Sequence, residues 1–287
     1  GVFRVAENLL FELLNFNDIS IFPTAYQHHE ISQKYIDNVL KVHFKRSDNR
    51  LINIFKNIFR RDQIIYDLES LQSILLNKRI NAFHSPWPPI PKEVKENKIS
   101  QFLTVYDFIP LKFPEFFDSP TIDYWKQIIS SISPKTIIFA ISESTKDDLC
   151  EYLDFIEPDQ VIVTPLAASD KFYQTKDISE YEKLRSRYNL PKGKYVLSLS
   201  TLEPRKNFNT TIRAFKKIAQ DTNINDLSLV LVGTKGWKFD QLFEEIDLAG
   251  DLKERIHVTG YVADEDLAAI YSNALVFVYP SLYEGFG

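Results

Sequence analysis

From Tyr195 onward, unbroken apolar runs alternate with amphipathic ones, and this restricts the fold more than any other feature of the sequence. Residues 195–200, 227–232, 256–259 and 274–279 read as strands. Between and before them, the spacing predicts helices over 180–188, 208–220, 239–249 and 265–272. Strands that lack polar alternation are buried on both faces, which predicts a parallel sheet covered by helices on each side. The first strand breaks into Thr201-Leu-Glu-Pro-Arg205-Lys206-Asn207, and Ile212, Phe215, Ile218 and Ala219 then recur at helical spacing. Asn207 is the expected N-cap of that helix. Arg205 and Lys206 thus precede a helix N-terminus at the carboxyl end of a strand. Unpaired amides, the helix dipole and two cations favour an anion there, where open α/β sheets take nucleotide phosphates. The same residues also read as a solvated strand–helix loop with ordinary surface charges.

The chain has 287 residues, which predicts two domains. A net charge of −5 gives no reason to expect nucleic acid as the main partner. The single cysteine, Cys150, excludes a disulfide framework and fits a reducing compartment. No apolar run is long enough to span a bilayer, and no signal peptide is visible. Met is absent even at position 1, and the last residues, Glu284-Gly-Phe-Gly287, read as a loop. The expectation is a piece of a longer protein, cut at both ends.

In the first half, Val5, Leu9, Leu10, Leu13 and Leu14 predict an opening helix, and 19–22 a short strand. Further strands are expected at 81–84, 102–106, 136–141 and 161–164, with a proline-rich loop at 86–91. Ser142 or Ser144 is expected to cap a helix over 145–153. Residues 169–179 are the expected linker, giving domains 1–170 and 180–287. Residues 41–61 carry seven cations against one acid, with Ile52, Phe55, Ile58 and Phe59 at helical spacing. Such a segment can lie on an anionic membrane surface, or pack its stripe on its own domain. His28 and His29 read as loop residues, and Cys150 lies among Asp147, Asp148 and Glu151, a poor setting for a reactive thiolate.

These blocks together resemble the family 4 (group 1) glycosyltransferases of the GT-B fold. Leu199-Ser-Thr-Leu-Glu-Pro-Arg-Lys-Asn207 is similar to the family's diphosphate-binding strand–loop–helix. Tyr279-Pro-Ser-Leu-Tyr-Glu-Gly-Phe-Gly287 resembles the first half of its E-x7-E motif, and Val258-Thr-Gly-Tyr-Val262 the segment before it. Gly1-Val-Phe-Arg4 looks like the end of its glycine-rich loop, and Thr104-Val-Tyr-Asp-Phe-Ile-Pro110 like its His-Asp strand end. Ile141-Ser-Glu-Ser-Thr-Lys-Asp-Asp-Leu149 is similar to another common block. The resemblance implies an α/β fold of two Rossmann-like domains whose parallel sheets face a central cleft. The N-terminal domain, lacking its first strand, would face the acceptor, and a truncated C-terminal domain would bind the nucleotide-sugar.

The activity implied is retaining transfer of a hexose, mannose-type favoured, from a nucleotide-diphosphate donor to a glycan or lipid-linked acceptor in surface polysaccharide synthesis. Glu284 would bond the donor sugar, with Asp107 and Tyr106 near the reacting centre. Lys206, Arg205, Thr201, Gly1 and the amides of Gly285, Phe286 and Gly287 would hold donor phosphate or sugar. Cations and amides can replace a divalent metal, so no cofactor is expected. Asp264 and Asp266 spell D-x-D, but read as a cap and first-turn acids of a helix. The expected location is cytoplasmic, with 41–61 as a peripheral contact on the inner membrane face.

Three departures matter. Tyr106 stands where the family often has His, and Thr201 where it often has Arg, a charge that Arg205 could supply. The second glutamate of E-x7-E would fall beyond Gly287, which points to weak donor binding or inactivity of this piece. A GT-B sugar-nucleotide epimerase and a non-catalytic glycan-binding protein are the alternatives. Neutral sugars, however, need no cation pair.

Overall fold

The computed structural model describes residues 2–13, 71–77, 80–97, 99–175, 178–220, 224, 226–237 and 239–286. The expected strand at 19–22, His28, His29, the basic segment 41–61, Gly1 and Gly287 lie outside the described residues. Two compact units form: one from Gly1–Leu111, Ser119–Pro165 and Phe286, the other from Lys112–Asp118 and Leu166–Gly285. The units therefore part at Pro165, ahead of the expected linker. Residues 172–175 belong to the second unit, because the Thr175 amide donates to Ser272 Oγ (3.0 Å) and the Phe172 ring meets Tyr271 edge-on.

The first unit holds α1 (Val2–Leu13), α2 (Leu71–Asn77), β1 (Ala82–Ser85), α3 (Lys92–Glu96), β2 (Ser100–Val105), α4 (Ile109–Lys112), α5 (Ser119–Ser131), β3 (Thr136–Ala140), α6 (Glu143–Tyr152) and β4 (Val161–Val163). Among the described residues its four strands are parallel, in the order β1-β2-β3-β4. Leu103, Val105, Ile138 and Ala140 point alternately into a core with Val94, Trp125, Ile128 and Leu149. Ser142 caps α6, its side chain accepting from the Thr145 amide at 3.0 Å.

The second unit holds α7 (Ile178–Tyr188), β5 (Tyr195–Leu199), α8 (Phe208–Ala219), β6 (Ser228–Val232), α9 (Asp240–Asp247), β7 (Ile256–Gly260), α10 (Asp264–Asn273) and β8 (Val276–Phe277). Again all pairs are parallel, ordered β7-β6-β5-β8. Strand β6 explains the unbroken apolar run. Leu229 and Leu231 pack on one side with Ile212, Phe215 and Ile246. Val230 and Val232 pack on the other with Leu184, Leu197, Ala269 and Ile270. All five of its residues are buried. Ile212 is fully buried, so Ile212→Ala should cost roughly 2–5 kcal/mol.

Three details differ from the sequence expectations. Strand 274–279 reduces to two residues in register with β5, and Leu275, Val276 and Phe277 stand exposed at 61, 48 and 42 %. Among the described residues that strand lies at the sheet edge, and its apolar run is not buried. Asn207 does not cap α8 with its side chain: it is left-handed (φ 57°), following a 3₁₀ turn over Pro204–Lys206. Asp264 is the first helical residue of α10 rather than its cap, which is Ala263. Among the described residues, no helix is long and apolar enough to cross a membrane.

Candidate functional site

The site is built at the carboxyl end of β5. Here the chain leaves the sheet and must turn back into α8. Pro204 fixes the first residue of the 3₁₀ turn, and Asn207 supplies the left-handed residue that redirects it. Two glycines let the loop after β6 lie against this turn. Gly233 has φ 153°, and a Cβ there would run into the Ser200 carbonyl oxygen. At Gly236 a Cβ would come within 2.8 Å of Thr201 Cγ2 and 3.0 Å of the Leu202 oxygen. Backbone bonds fix the approach: Leu202 donates to Thr234 O at 2.9 Å, and Gly236 to Leu202 O at 3.0 Å.

The turn brings the cations inward. Arg205 and Lys206 are buried, 8 and 9 % exposed, not open to water as a solvated loop would leave them. Lys206 Nζ contacts Glu284 Oε1 at 2.5 Å and donates to the Tyr279 hydroxyl at 2.8 Å. Arg205 NH1 lies 3.0 Å from Glu284 Oε1 and donates to the Tyr283 carbonyl at 2.8 Å. Its NH2 meets Glu203 Oε1 at 2.8 Å. The backbone joins in: Leu282 N donates to Arg205 O (2.9 Å), and Asn207 Nδ2 to Pro280 O (3.0 Å). Residues 203–207 thus hold Tyr279, Pro280, Leu282, Tyr283 and Glu284, about 75 positions later in the chain.

The charges behave accordingly. Burial raises the Glu284 carboxyl, but the hydrogen bond and charge of Lys206, with the charge of Arg205, outweigh it. The group ends below the ordinary carboxylate range. Glu203 goes the other way, raised by a burial that Arg205 and Lys206 only partly offset. Some amides of the turn are used within it: Lys206 N donates to Glu203 O, Asn207 N to Pro204 O and Thr210 N to Asn207 O, all at 3.0–3.1 Å. Thr201 is exposed beside the turn, Gly285 is buried, and Phe286 is 40 % exposed.

Tyr106 and Asp107 lie at the carboxyl end of β2, in the first unit. Asp107 Oδ1 accepts from the Ile109 amide at 2.9 Å, the local turn its position before Pro110 allows. The Tyr106 hydroxyl is buried without a hydrogen-bond partner among the described residues, and burial pushes it up to about 12. Its ring packs on Trp87, and Thr145 Oγ1 donates to its carbonyl at 3.0 Å. Asp266 is taken by Arg187 (3.0 Å) and the Tyr188 hydroxyl (2.7 Å). Among the described residues, no group of three or more His, Cys, Asp or Glu could hold a metal ion. Sequence reasoning missed Glu203 and Tyr279. Glu203, two residues before Arg205 in a turn, carried a local signal. Tyr279 carried none beyond its nearness to Glu284.

Residues 180–287 match the family model for glycosyl transferases group 1. Over 185 residues the chain is 30 % identical to O-antigen chain mannosyltransferase B of Escherichia coli, covering 64 % of this chain and 48 % of that protein. It spans half or less of the length of the curated relatives it matches. Its fold is similar to that of WaaG, a glycosyltransferase involved in lipopolysaccharide biosynthesis (TM-score 0.57, 11 % identity, 99 % of this chain and 72 % of that one). It is also similar to Anabaena HepE, solved in complex with UDP-glucose (TM-score 0.53, 19 % identity, 66 % and 49 %). The fold is thus that of the GT-B glycosyltransferases, and residues 180–287 are similar to the group 1 glycosyl transferases.

Proposed function

We propose that this protein transfers a hexose, mannose being favoured, from a nucleotide-diphosphate donor to a glycan or lipid-linked acceptor in surface polysaccharide synthesis. The observation that carries the reading is the meeting of Lys206 with Glu284 at the carboxyl end of a parallel sheet, in a region similar to the group 1 glycosyl transferases. The likeness to an O-antigen mannosyltransferase supports the sugar and the pathway class.

As the bond from the anomeric carbon to the diphosphate breaks, negative charge grows on the departing oxygen. Lys206 Nζ next to that oxygen stabilises the growing charge more than the ground state, which lowers the barrier. Glu284, freed from Lys206 by the phosphate, accepts hydrogen bonds from donor-sugar hydroxyls, with Thr201 and the amides of Gly285, Phe286 and Gly287 around it. Gly1 would serve the donor from the first unit. Tyr106 and Asp107 would serve the acceptor side, where a neutral hydroxyl must approach. The reaction retains the anomeric configuration and needs no metal, since a fixed cation takes the metal's part. Residues 41–61 would bring the enzyme to an anionic membrane surface on the cytoplasmic side.

Incubation with GDP-mannose and UDP-glucose tests the reading. Slow release of nucleoside diphosphate is expected, undiminished in EDTA, with an α-linked product seen by NMR when an acceptor is supplied. No release from any nucleotide-sugar would reject a transferase. Loss in EDTA, restored by Mn²⁺, would reject the metal-free mechanism. Co-sedimentation with anionic but not neutral liposomes, weakened by salt and by Arg60→Glu with Arg61→Glu, is the outcome expected of residues 41–61.

A further inference from the structure

The two cations of the turn are not equivalent. Arg205 and Glu203 form the inner pair, with side chains 9 and 4 % exposed. Lys206 and Glu284 form the outer one, 10 and 18 % exposed. Arg205 spends its donors on protein acceptors. NH2 goes to Glu203, and NH1 is shared between the Tyr283 carbonyl and Glu284. Its own carbonyl receives the Leu282 amide. Nε is shielded from solvent with no partner among the described residues. A planar guanidinium holds several acceptors at fixed angles, which a lysine ammonium does not. A buried pair adds little net stability, but it fixes geometry when every partner is in place.

We propose that Arg205, anchored by Glu203, is a positioning residue: it holds the 282–284 loop so that Glu284 stands beside Lys206, and it does not bind donor phosphate. The proposal rests on the donor-site reading above. It also assigns Arg205 a different part from the one its sequence position implies, that of a second phosphate cation.

Calorimetry with GDP and UDP, paired with release of GDP from GDP-mannose, tests it. The wild-type protein is measured first. If it binds neither diphosphate, the donor-site reading fails and the proposal falls with it. Given wild-type binding, Lys206→Met sets the reference and should lose tenfold or more in diphosphate affinity. Glu203→Gln with Arg205→Met removes both inner charges together, which avoids stranding a buried carboxylate. This variant should keep diphosphate affinity within threefold of wild type while GDP release from GDP-mannose drops tenfold or more. Arg205→Lys keeps the charge without the fork, and covers the case in which circular dichroism shows the double variant unfolded. It should fail in turnover just as the double variant does. Diphosphate affinity lost as in Lys206→Met, or turnover kept near wild type in Arg205→Lys, would overturn the proposal.

Discussion

The ends of β2 and β5 occupy the same place in their two sheets, but handle burial in opposite ways. At β2 the buried polar groups stay neutral. His84, on the neighbouring β1, is lowered to about 4 by burial, and its Nε2 pairs with Thr104 Oγ1 of β2 at 2.9 Å. The Tyr106 hydroxyl is raised to about 12. At β5 two carboxylates are paired against two cations, and the pairing outweighs burial at Glu284 but not at Glu203. A low-dielectric site either suppresses ionisation or matches it. In the proposed function the first end serves a hydroxyl-bearing partner and the second an anion, although both ends grow from the same strand-to-helix architecture.

The largest expected effect concerns His84. Its folded value lies below the ordinary 6.5, so the unfolded chain takes the proton first. Stability should fall as pH drops from 6.5 towards 4, by roughly 3 kcal/mol at most, and level off below. Urea unfolding of wild type and His84→Gln across that range checks this. An equal pH slope in both would break the claim that the β2 end enforces neutrality. Next comes Lys206→Ala, expected to lose about 1.5–3 kcal/mol of nucleoside diphosphate binding by calorimetry. Unchanged affinity would mean that the β5 charges are structural alone.

A subtler effect belongs to Glu284. Its value is lowered on folding, so its contribution is present above the ordinary 4.5 and lost as pH falls through the folded value. Glu284→Gln should therefore be less stable than wild type at pH 7, on the order of 1 kcal/mol. The gap should close well below pH 4.5. A gap independent of pH would show that charge is not what holds Glu284. The smallest effects fall at β2. Asp107→Ala should cost about 1 kcal/mol for its turn bond, and Tyr106→Phe should be neutral or slightly stabilising, since it removes an unpartnered hydroxyl. Neither should change GDP affinity. A tenfold loss in either would erase the division of roles between the two strand ends.

Most of the architecture was legible because it rests on local pattern. Strand β6 is apolar but for Ser228, as both of its faces are covered. Ser142 stands where a helix must begin, and caps it. Asn207 does stand at the N-cap of α8, as expected, but without a side-chain bond to an amide, whereas Asp264 falls one residue inside α10. The 3₁₀ turn needed a left-handed residue at 207, and Ala263 already occupied the cap of α10. In the candidate site, the residue types were visible and their pairing was not. Arg205, Lys206 and Glu284 could be picked out as charges, but no periodicity links them across about 75 residues. Nor could sequence tell that Glu203 would follow Arg205 into the interior.

On the proposed reading, the contact between Lys206 and Glu284 makes this strand end an ion exchanger rather than an open socket. Any incoming anion must evict a tethered carboxylate, whose effective concentration at the lysine is set by its neighbours and not by the medium. Chloride or free phosphate can take the ammonium, but leaves Glu284 half-buried without a donor. A ligand that brings hydroxyl groups on the same molecule satisfies both halves of the broken pair. Selectivity for an anion that carries a sugar can thus arise from the exchange itself, before any contact with the sugar's particular stereochemistry.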